Sequence, residues 1–251
     1  MAAFLTSPLS YWAHKNSRDV ILEDATATKA TLIGIVKSTW DPTVVGAGQD
    51  AAHLKHSAVE ITEVKRVENA SVFHSYSNKK LEFEKRGRPC PSIGKISQDL
   101  ANFKKGERNP AVNEYYLFHG TKDALSIAKT GFQTRFADPG NLYGKGIYFT
   151  DSFEKADMYS DDKHNRTPLG TELTVIMARV LLGRASKCSK EDAKKLTRPP
   201  CLQHAGICTC GPLQRYDSVE SIHLLFREFV VYNGNQCYPE YIITYKRTRE
   251  Q

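Results

Sequence analysis

Three residues with chemically versatile side chains stand next to or within short apolar runs of the sequence: His119, Tyr148 and Glu228. The β-forming run 115–118 leads directly into His119, and the apolar run 229–232 follows directly after Glu228. Side chains and backbone amides at the end of a strand open onto whatever the sheet binds. An imidazole, a phenol and a carboxylate at such positions outline a binding cleft, although a charged residue that begins a strand is ordinarily solvated surface.

Aromatic rings are the second part of this pattern. The rings of His119, Tyr148 and Tyr159 suit a flat ligand held by stacking, which contributes about 0.5–1.5 kcal/mol per ring pair beyond the buried area. Tyrosines in strands and helices are more often core residues, so the spacing alone leaves both interpretations open.

The elements that would position these rings follow from local patterns. Residues 115–118 predict one strand, and 146–149 predict a second strand whose glycines permit close backbone approach. Between them, 123–130 predict a short helix that Gly131 ends, and 133–141 predict a loop.

Further elements precede and follow this region. Residues 57–67 alternate apolar and polar side chains, as a half-buried strand does, and 72–83 predict a helix. Residues 86–110 predict an irregular connection with one helical turn inside it. The segment 151–154 has the pattern of a capping box, which predicts a helix through Tyr159.

The composition is that of a folded domain. The chain has 251 residues, of which 40% are hydrophobic and 25% charged; this length suits one domain with an appendage. Residues 1–45 predict an N-terminal extension, which leaves 46–251 as the domain. No apolar run approaches the roughly 20 residues of a membrane span, and no signal peptide is evident. We therefore expect a soluble intracellular protein, nuclear or cytoplasmic, without a membrane partner.

The net charge is +7 with an isoelectric point near 9.0, and such a chain attracts polyanions. Nucleic acid is one partner that this charge would accommodate. However, the basic residues are scattered, which is more typical of solvated surface than of a nucleic-acid interface. A dinucleotide with its pyrophosphate is an anion too.

Four ordered segments resemble the catalytic domain of the poly(ADP-ribose) polymerase family, the diphtheria-toxin-like ADP-ribosyltransferases. They are LFHGT at 117–121, YGKGIYF at 143–149, VKRVENASVFHSY at 64–76 and EFVVYNGNQCYPEYIITY at 228–245. The resemblance extends from residue 59 to the C-terminus. It implies an α+β fold of two packed, mostly antiparallel sheets with flanking helices, around a cleft that binds NAD without a glycine-rich dinucleotide fingerprint.

The resemblance also implies a role for each matching residue. His119 matches the histidine that hydrogen-bonds the adenosine ribose, and Gly120 the glycine whose backbone clamps the nicotinamide amide. Thr121 stands where the family has a serine or threonine that contacts NAD. Tyr148 and Tyr159 match the two rings that sandwich nicotinamide.

Two positions differ from the family pattern or follow no close version of it. A serine that often holds the nicotinamide amide falls at Ala156, so this contact would be missing or replaced. Residues 133–142 match the loop that covers NAD, but their sequence does not specify the contacts.

Glu228 matches the glutamate of the family's catalytic set. Cleavage of the nicotinamide glycosidic bond builds positive charge on the ribose, and a carboxylate that holds the 2′-hydroxyl stabilises this charge. Members that transfer single ADP-ribose units commonly have an apolar residue here. The set His119, Tyr148 and Glu228 is instead associated with polymer extension, although some members that carry it are thought to add one unit only.

The sequence thus predicts an NAD-consuming ADP-ribosyltransferase whose acceptors are proteins, including the protein itself. Residues 1–118 are too short and too loop-rich to hold both the helical regulatory domain of DNA-dependent members and the entry strands. We therefore expect an organisation closer to the tankyrase and mono-transferase branches. The alternative is a catalytically silent module that binds ADP-ribose or nucleic acid on the same fold.

Six cysteines remain to be explained. Without an export signal, free thiols or a metal are expected rather than disulfides. Cys201, His204, Cys208 and Cys210 are four soft ligands within ten residues, and some tankyrase-like domains carry zinc. Because Cys208 and Cys210 are separated by a single residue and the segment does not align with the tankyrase site, the sequence favours a surface loop without a metal.

Overall fold

The computed structural model describes residues 8–47, 51, 54–87, 89–161, 166–193, 196, 198–204, 208–221 and 225–249. The strands are β1 (Ile21–Asp24), β2 (Ala58–Glu68), β3 (Glu114–Gly120), β4 (Ile147–Thr150), β5 (Glu172–Leu181), β6 (Ala185–Cys188), β7 (Ser218–Ser221), β8 (Glu228–Val231) and β9 (Cys237–Thr248). The helices are α1 (Thr26–Ser38), α2 (Ala70–Lys85), α3 (Gln98–Asn102), α4 (Ala124–Thr130), α5 (Phe153–Asp157) and α6 (Lys190–Ala193).

The strands form one hydrogen-bonded order, β1-β2-β9-β5-β3-β4-β8-β7-β6. Neighbouring strands are antiparallel except for β6 and β7, which are parallel. Among the described residues, the strand pairing between the halves β1-β2-β9-β5-β3 and β4-β8-β7-β6 consists of Phe118 with Thr150, a contact we call the β3–β4 junction. The predicted α+β fold with mostly antiparallel strands is confirmed. The pairing of Phe118 with Thr150 joins the strands into one nine-stranded sheet, where two packed sheets were expected.

Most sequence predictions for the entry to the domain are confirmed. The alternating segment forms β2, and the predicted helix forms α2, whose N-cap Asn69 accepts a hydrogen bond from the Val72 N–H at 3.1 Å. The irregular connection contains the short helix α3. The apolar face of α2 buries Phe73 and Tyr76, as expected for an amphipathic helix that covers a sheet.

The main hydrophobic core lies along the central strands. The burial pattern of β5 and β9 is almost continuous rather than alternating, because helices or other strands cover both of their faces. Strand β5 of this core pairs with β3, whose penultimate residue is His119.

The segment predicted as an extension packs on the same sheet. Within it, β1 pairs with β2, and α1 buries Leu32, Ile35 and Val36 in the main core. Trp12 is buried with its ring centroid 5.3 Å from that of Phe73. The boundary at residue 45 stays a prediction, but the described residues of 8–45 contact the domain extensively.

A buried network of charges lies at the opposite end of β3 from His119. Arg179 of β5, 1% exposed, forms ion pairs with Glu114 and Glu240. Lys80 of α2 contacts Glu114 at 2.6 Å. Burial alone would raise the pKa of Glu114, but Lys80 and Arg179 hold it below its ordinary value. The network ties α2, β3, β5 and β9 together, and breaking one pair would leave a charge buried alone.

Among the described residues, no helix combines the length and the apolar composition that crossing a bilayer requires.

Candidate active site

The three residues of the predicted catalytic set lie on three adjacent strands. His119 is the penultimate residue of β3, Tyr148 is the second residue of β4 and Glu228 is the first residue of β8. Strand β4 pairs with β3 on one side and with β8 on the other, and Thr150 is the common partner of Phe118 and Glu228. The catalytic set therefore spans the β3–β4 junction.

The ring of His119 is fixed by one hydrogen bond and two aromatic contacts. Its Nδ1 lies 2.8 Å from the carbonyl oxygen of Tyr148; since a carbonyl only accepts, Nδ1 carries the hydrogen. The rings of Phe132 and Phe149 lie 5.2 and 5.5 Å away. Burial lowers the pKa of His119, although the hydrogen bond to Tyr148 opposes this effect. The neutral ring therefore keeps the lone pair of Nε2, which can accept a hydrogen bond from a hydroxyl.

Gly120 is the point where β3 touches α5. A Cβ atom at this residue would lie 1.7 Å from the carbonyl oxygen of Ala156 and 3.1 Å from the Cβ of Tyr159. The need for glycine thus has a structural cause that the sequence did not reveal, because the backbone of α5 occupies the space of a side chain. The predicted contact of Gly120 with nicotinamide stays a prediction.

The side chain of Thr121 is buried beside Gly120, and its hydroxyl oxygen accepts a hydrogen bond from the Asp123 N–H at 2.9 Å. This hydrogen bond uses a lone pair of the hydroxyl oxygen, so Thr121 can still donate its hydroxyl hydrogen to a ligand.

The hydroxyl of Tyr148 forms hydrogen bonds with the backbone of the residues that precede β4. It accepts from the Tyr143 N–H at 2.8 Å and donates to the Gly144 carbonyl at 3.0 Å. Gly144 has a φ of +78°, a conformation that glycine adopts without strain. Burial raises the pKa of the Tyr148 hydroxyl. Tyr148 can therefore serve a ligand mainly through the face of its ring.

Helix α5 differs from the predicted helix at both ends. Its N-cap is Ser152, whose hydroxyl accepts from the Lys155 N–H at 3.2 Å. Asp151, the predicted cap, forms an ion pair with Arg227 instead. The helix ends at Asp157, so Tyr159 lies just beyond it and is 49% exposed. The exposed ring is consistent with a stacking role.

Glu228 is buried, and its charge is compensated by Lys155 of α5. The Nζ of Lys155 lies 3.2 Å from Oε1 of Glu228 and 3.1 Å from the Tyr159 hydroxyl. Burial alone would lower the pKa of Lys155, but the Glu228 carboxylate holds it above its ordinary value. The backbone N–H of Glu228 donates to the Ser221 hydroxyl at 2.7 Å. Lys155 of α5 therefore holds the carboxylate, and Ser221 of β7 holds the backbone that carries it.

Lys155 is the site residue that the sequence analysis missed. The only signal was its position on the predicted helix, four residues before Tyr159, where the two side chains share one face. Its contact with Glu228 joins residues 73 positions apart, and nothing in the local pattern reveals it.

The predicted covering loop contains one turn of 3-10 helix, Thr134–Phe136, which begins near the residues that hold His119. Phe136 is 76% exposed, and the guanidinium of Arg135 lies 4.8 Å from the centre of its ring. The turn begins two residues after Phe132, which packs on His119.

The sequence comparison agrees with this arrangement. The family model described as Poly(ADP-ribose) polymerase catalytic domain matches residues 43–247, which is well over half of the chain. The chain belongs to this family. The match begins near the predicted domain boundary at residue 46, and it includes all three residues of the catalytic set.

Individual relatives come from different branches of the family. The chain is 31% identical over 163 residues to the poly [ADP-ribose] polymerase tankyrase of Caenorhabditis elegans, covering 53% of this chain and 7% of the relative. It is 28% identical over 196 residues to the human protein mono-ADP-ribosyltransferase PARP14, covering 76% of this chain and 9% of the relative. To the mouse protein mono-ADP-ribosyltransferase PARP11 it is 31% identical over 162 residues, covering 58% of this chain and 46% of the relative. The chain thus spans less than half the length of each.

Proposed function

We propose that this protein is an NAD-dependent ADP-ribosyltransferase that transfers ADP-ribose from NAD to protein side chains and releases nicotinamide. The observation that carries the proposal is the convergence of His119, Tyr148 and Glu228 on three adjacent strands. Family membership supports the same conclusion.

The residues around the cleft fit the parts of NAD. The Nε2 of His119 suits a ribose hydroxyl as an acceptor, because Nδ1–H is already used by the Tyr148 carbonyl. The ring of Tyr148 and the half-exposed ring of Tyr159 are suited to the two faces of nicotinamide. Gly120 and Thr121 would contact the nicotinamide end through the backbone and a hydroxyl.

Glu228 would supply the chemistry of the transfer step. As the bond between ribose and nicotinamide breaks, positive charge develops on the ribose, and a carboxylate at the 2′-hydroxyl stabilises the charge more in the transition state than in the ground state. Lys155 holds this carboxylate in place and offsets the cost of burying its charge.

The acceptors in this proposal are protein side chains, including those of the protein itself. Glu228 would also orient the ribose hydroxyl of an acceptor unit, so we propose that the product includes chains of more than one ADP-ribose. Single-unit transfer is the competing outcome, and it is the activity for which the relatives PARP14 and PARP11 are named.

A catalytically silent binding module is the candidate from another class. Such a module needs the cleft but has no use for a buried carboxylate paired with a lysine. The Glu228–Lys155 pair therefore favours the enzyme.

The test is to incubate the purified chain with NAD labelled in the adenosine moiety and to resolve the products by size, while released nicotinamide is measured separately. Protein-bound label and nicotinamide are expected in equal amounts when single units are transferred or chains are extended. Binding of NAD without release of nicotinamide would identify a silent module and overturn the proposal. The exposed variant Glu60→Gln serves as a surface control that should behave as wild type.

A further inference from the structure

Four metal-ligating side chains converge in the connection between β6 and β7, apart from the catalytic set. One ligand atom each from Cys201, His204, Cys208 and Cys210 lies within 4.8 Å of the others. The Nδ1 of His204 is 3.4 Å from the sulfur of Cys201 and 3.4 Å from that of Cys210. The sequence favoured a loop without a metal because a single residue separates Cys208 from Cys210. In the structure, this short spacing still allows the four ligand atoms to converge.

These distances match a tetrahedral centre. Zinc binds sulfur at about 2.3 Å and imidazole nitrogen at about 2.0–2.1 Å, which separates a sulfur from a nitrogen by about 3.5 Å in a tetrahedron. All three cysteines are free thiols in the structure rather than disulfides. Three sulfurs and one nitrogen form a soft donor set that selects zinc over calcium or magnesium.

The backbone around the four ligands is already organised. Cys201 forms a β-bridge with Arg215, and the guanidinium of Arg215 donates to the carbonyls of Pro199 at 2.9 Å and Cys210 at 3.1 Å. The backbone N–H of Gln203 points at the sulfur of Cys201 at 3.5 Å. Hydrogen bonds of this kind orient thiolate ligands and increase their affinity for a metal.

Charge compensation is present as well. Three thiolates and a neutral imidazole around Zn²⁺ carry one net negative charge. The Nη2 of Arg215, a buried residue, lies 3.1 Å from the sulfur of Cys208. The guanidinium of Arg198 contacts the carbonyl of the same cysteine. One guanidinium thus contacts a ligand sulfur, and a second contacts the backbone of the same residue.

Apolar packing does not account for the order of this segment. None of the described residues in 198–215 belongs to a hydrophobic cluster of the protein, and Leu213 is 66% exposed. A segment without its own core commonly depends on a metal for its stability.

We propose that Cys201, His204, Cys208 and Cys210 bind one structural Zn²⁺. Four protein ligands close the coordination sphere, so the centre has a structural rather than a catalytic role. The segment after Cys210 leads into β7. The hydroxyl of Ser221, the last residue of β7, accepts a hydrogen bond from the backbone N–H of Glu228. The zinc centre would therefore stabilise the strand beside the catalytic carboxylate.

The first measurement is the metal content of the full chain, purified under reducing conditions and passed over a weak chelating resin. We expect one zinc ion per chain. After removal of zinc, Co²⁺ added to the wild-type protein should give the intense visible bands of tetrahedral cobalt and the ultraviolet absorption of thiolate ligation. This readout is independent of transferase activity.

Variants locate the site. Cys208→Ser and Cys210→Ser should each lower the zinc content at least tenfold, whereas Cys210→His should retain Co²⁺ binding with shifted bands. Cys90→Ser is the matched control, because Cys90 is a partly exposed free thiol on the segment between α2 and α3. A wild-type chain that holds neither zinc nor tetrahedral Co²⁺ would overturn the proposal. Stoichiometric zinc in both serine variants would do the same, since the metal would then lie elsewhere.

Discussion

Glu228 is the side chain on which the proposed chemistry depends most. In Glu228→Gln, the amide can still hydrogen-bond a ribose hydroxyl, but it no longer offers negative charge to the developing cation. We expect NAD affinity near that of wild type and a barrier higher by about 2–4 kcal/mol, a rate loss of about 30- to 1,000-fold. Calorimetry measures the affinity and nicotinamide release the rate. Turnover equal to wild type would remove Glu228 from the mechanism.

In the proposed mode of binding, His119 determines how NAD affinity responds to pH. Its neutral ring accepts a hydroxyl hydrogen at Nε2, and protonation removes this acceptor. Because burial lowers the pKa of His119 from its ordinary 6.5, the neutral form persists to more acidic pH than in an exposed histidine. We expect the affinity to be constant from pH 8 through 6.5 and to fall only below it.

Calorimetric titrations across this range test the prediction. His119→Gln is the informative variant, since it should bind NAD more weakly and lose the dependence below pH 6.5. A wild-type decline centred at or above pH 6.5 would contradict the lowered pKa.

The contact between β3 and α5 makes Gly120 a structural residue as well as a predicted ligand contact. In Gly120→Ala, the new Cβ would meet the Ala156 carbonyl, so the two elements must separate. We expect a loss of at least about 2 kcal/mol in the free energy of unfolding, together with weaker NAD binding.

Gly34→Ala is the matched control for this experiment. Gly34 lies inside α1, and a Cβ there would meet nothing within 4 Å. Alanine should stabilise the helix by about 0.5–1 kcal/mol. Denaturant unfolding of both variants gives the comparison, and a Gly120→Ala protein as stable as wild type would show that α5 does not press on β3.

Glu154 of α5 predicts a dependence of stability on pH. It is 6% exposed, and its Oε2 has no hydrogen-bond partner among the residues that the structure describes. Burial raises the pKa of Glu154 from 4.5 to about 7. The folded state therefore binds this proton more tightly than the unfolded state, and stability is lost as the pH rises from about 4.5 to about 7. The loss reaches up to about 3 kcal/mol above pH 7.

In Glu154→Gln, the side chain imitates the protonated acid and should recover much of that loss at pH 8, with little change at pH 5. Thermal unfolding at both pH values measures it, with the exposed Glu60→Gln as the control that should change neither. Equal effects of Glu154→Gln at both pH values would indicate altered packing instead.

The sequence predicted β2, α2, β3, α4 and β4 well, because each has a local signal such as alternation, an apolar run or Gly131 at a helix end. The start of α5 was wrong by one residue. Asp151 and Ser152 are both good N-cap residues, and the choice between them depends on Arg227, which lies far away in sequence and engages Asp151.

Long-range contacts account for the other differences. Lys155 acquires its role only when α5 packs beside β8, and the four soft ligands converge only after Cys201 pairs with Arg215. Similarly, Arg179, Glu114 and Glu240 look like surface charges in the sequence but are buried together. Local patterns cannot report such pairings, whereas the resemblance to a family identified the candidate catalytic set directly.

For the molecule as a whole, the proposed chemistry predicts the number of ADP-ribose units in the product. Elongation needs an acceptor hydroxyl in the cleft, and Glu228 would orient it. Glu228→Leu should therefore convert any chain-forming activity into residual single-unit transfer. The net charge of +7 would also help to hold an anionic chain, so product length should fall as salt rises toward about 0.5 M, where charges are screened within about 4–5 Å.

Gel analysis of labelled products at several salt concentrations measures this length. Single units on every acceptor, at low salt and excess NAD, would exclude polymer extension and leave the transferase intact. The surface control Glu172→Gln should leave the distribution unchanged, because this exposed carboxylate begins β5 outside the catalytic set.

Backbone pairing across the β3–β4 junction is limited to Phe118 and Thr150, and the catalytic set lies on both sides of it. A dinucleotide bound by His119 on one side and by Tyr148 and Glu228 on the other would hold the two parts of the sheet together. Binding would then stabilise β4 and β8 against local opening, and amide hydrogen exchange in these strands would become slower. By the same linkage, any substitution that lets the two halves separate more easily would weaken binding without touching the ligand.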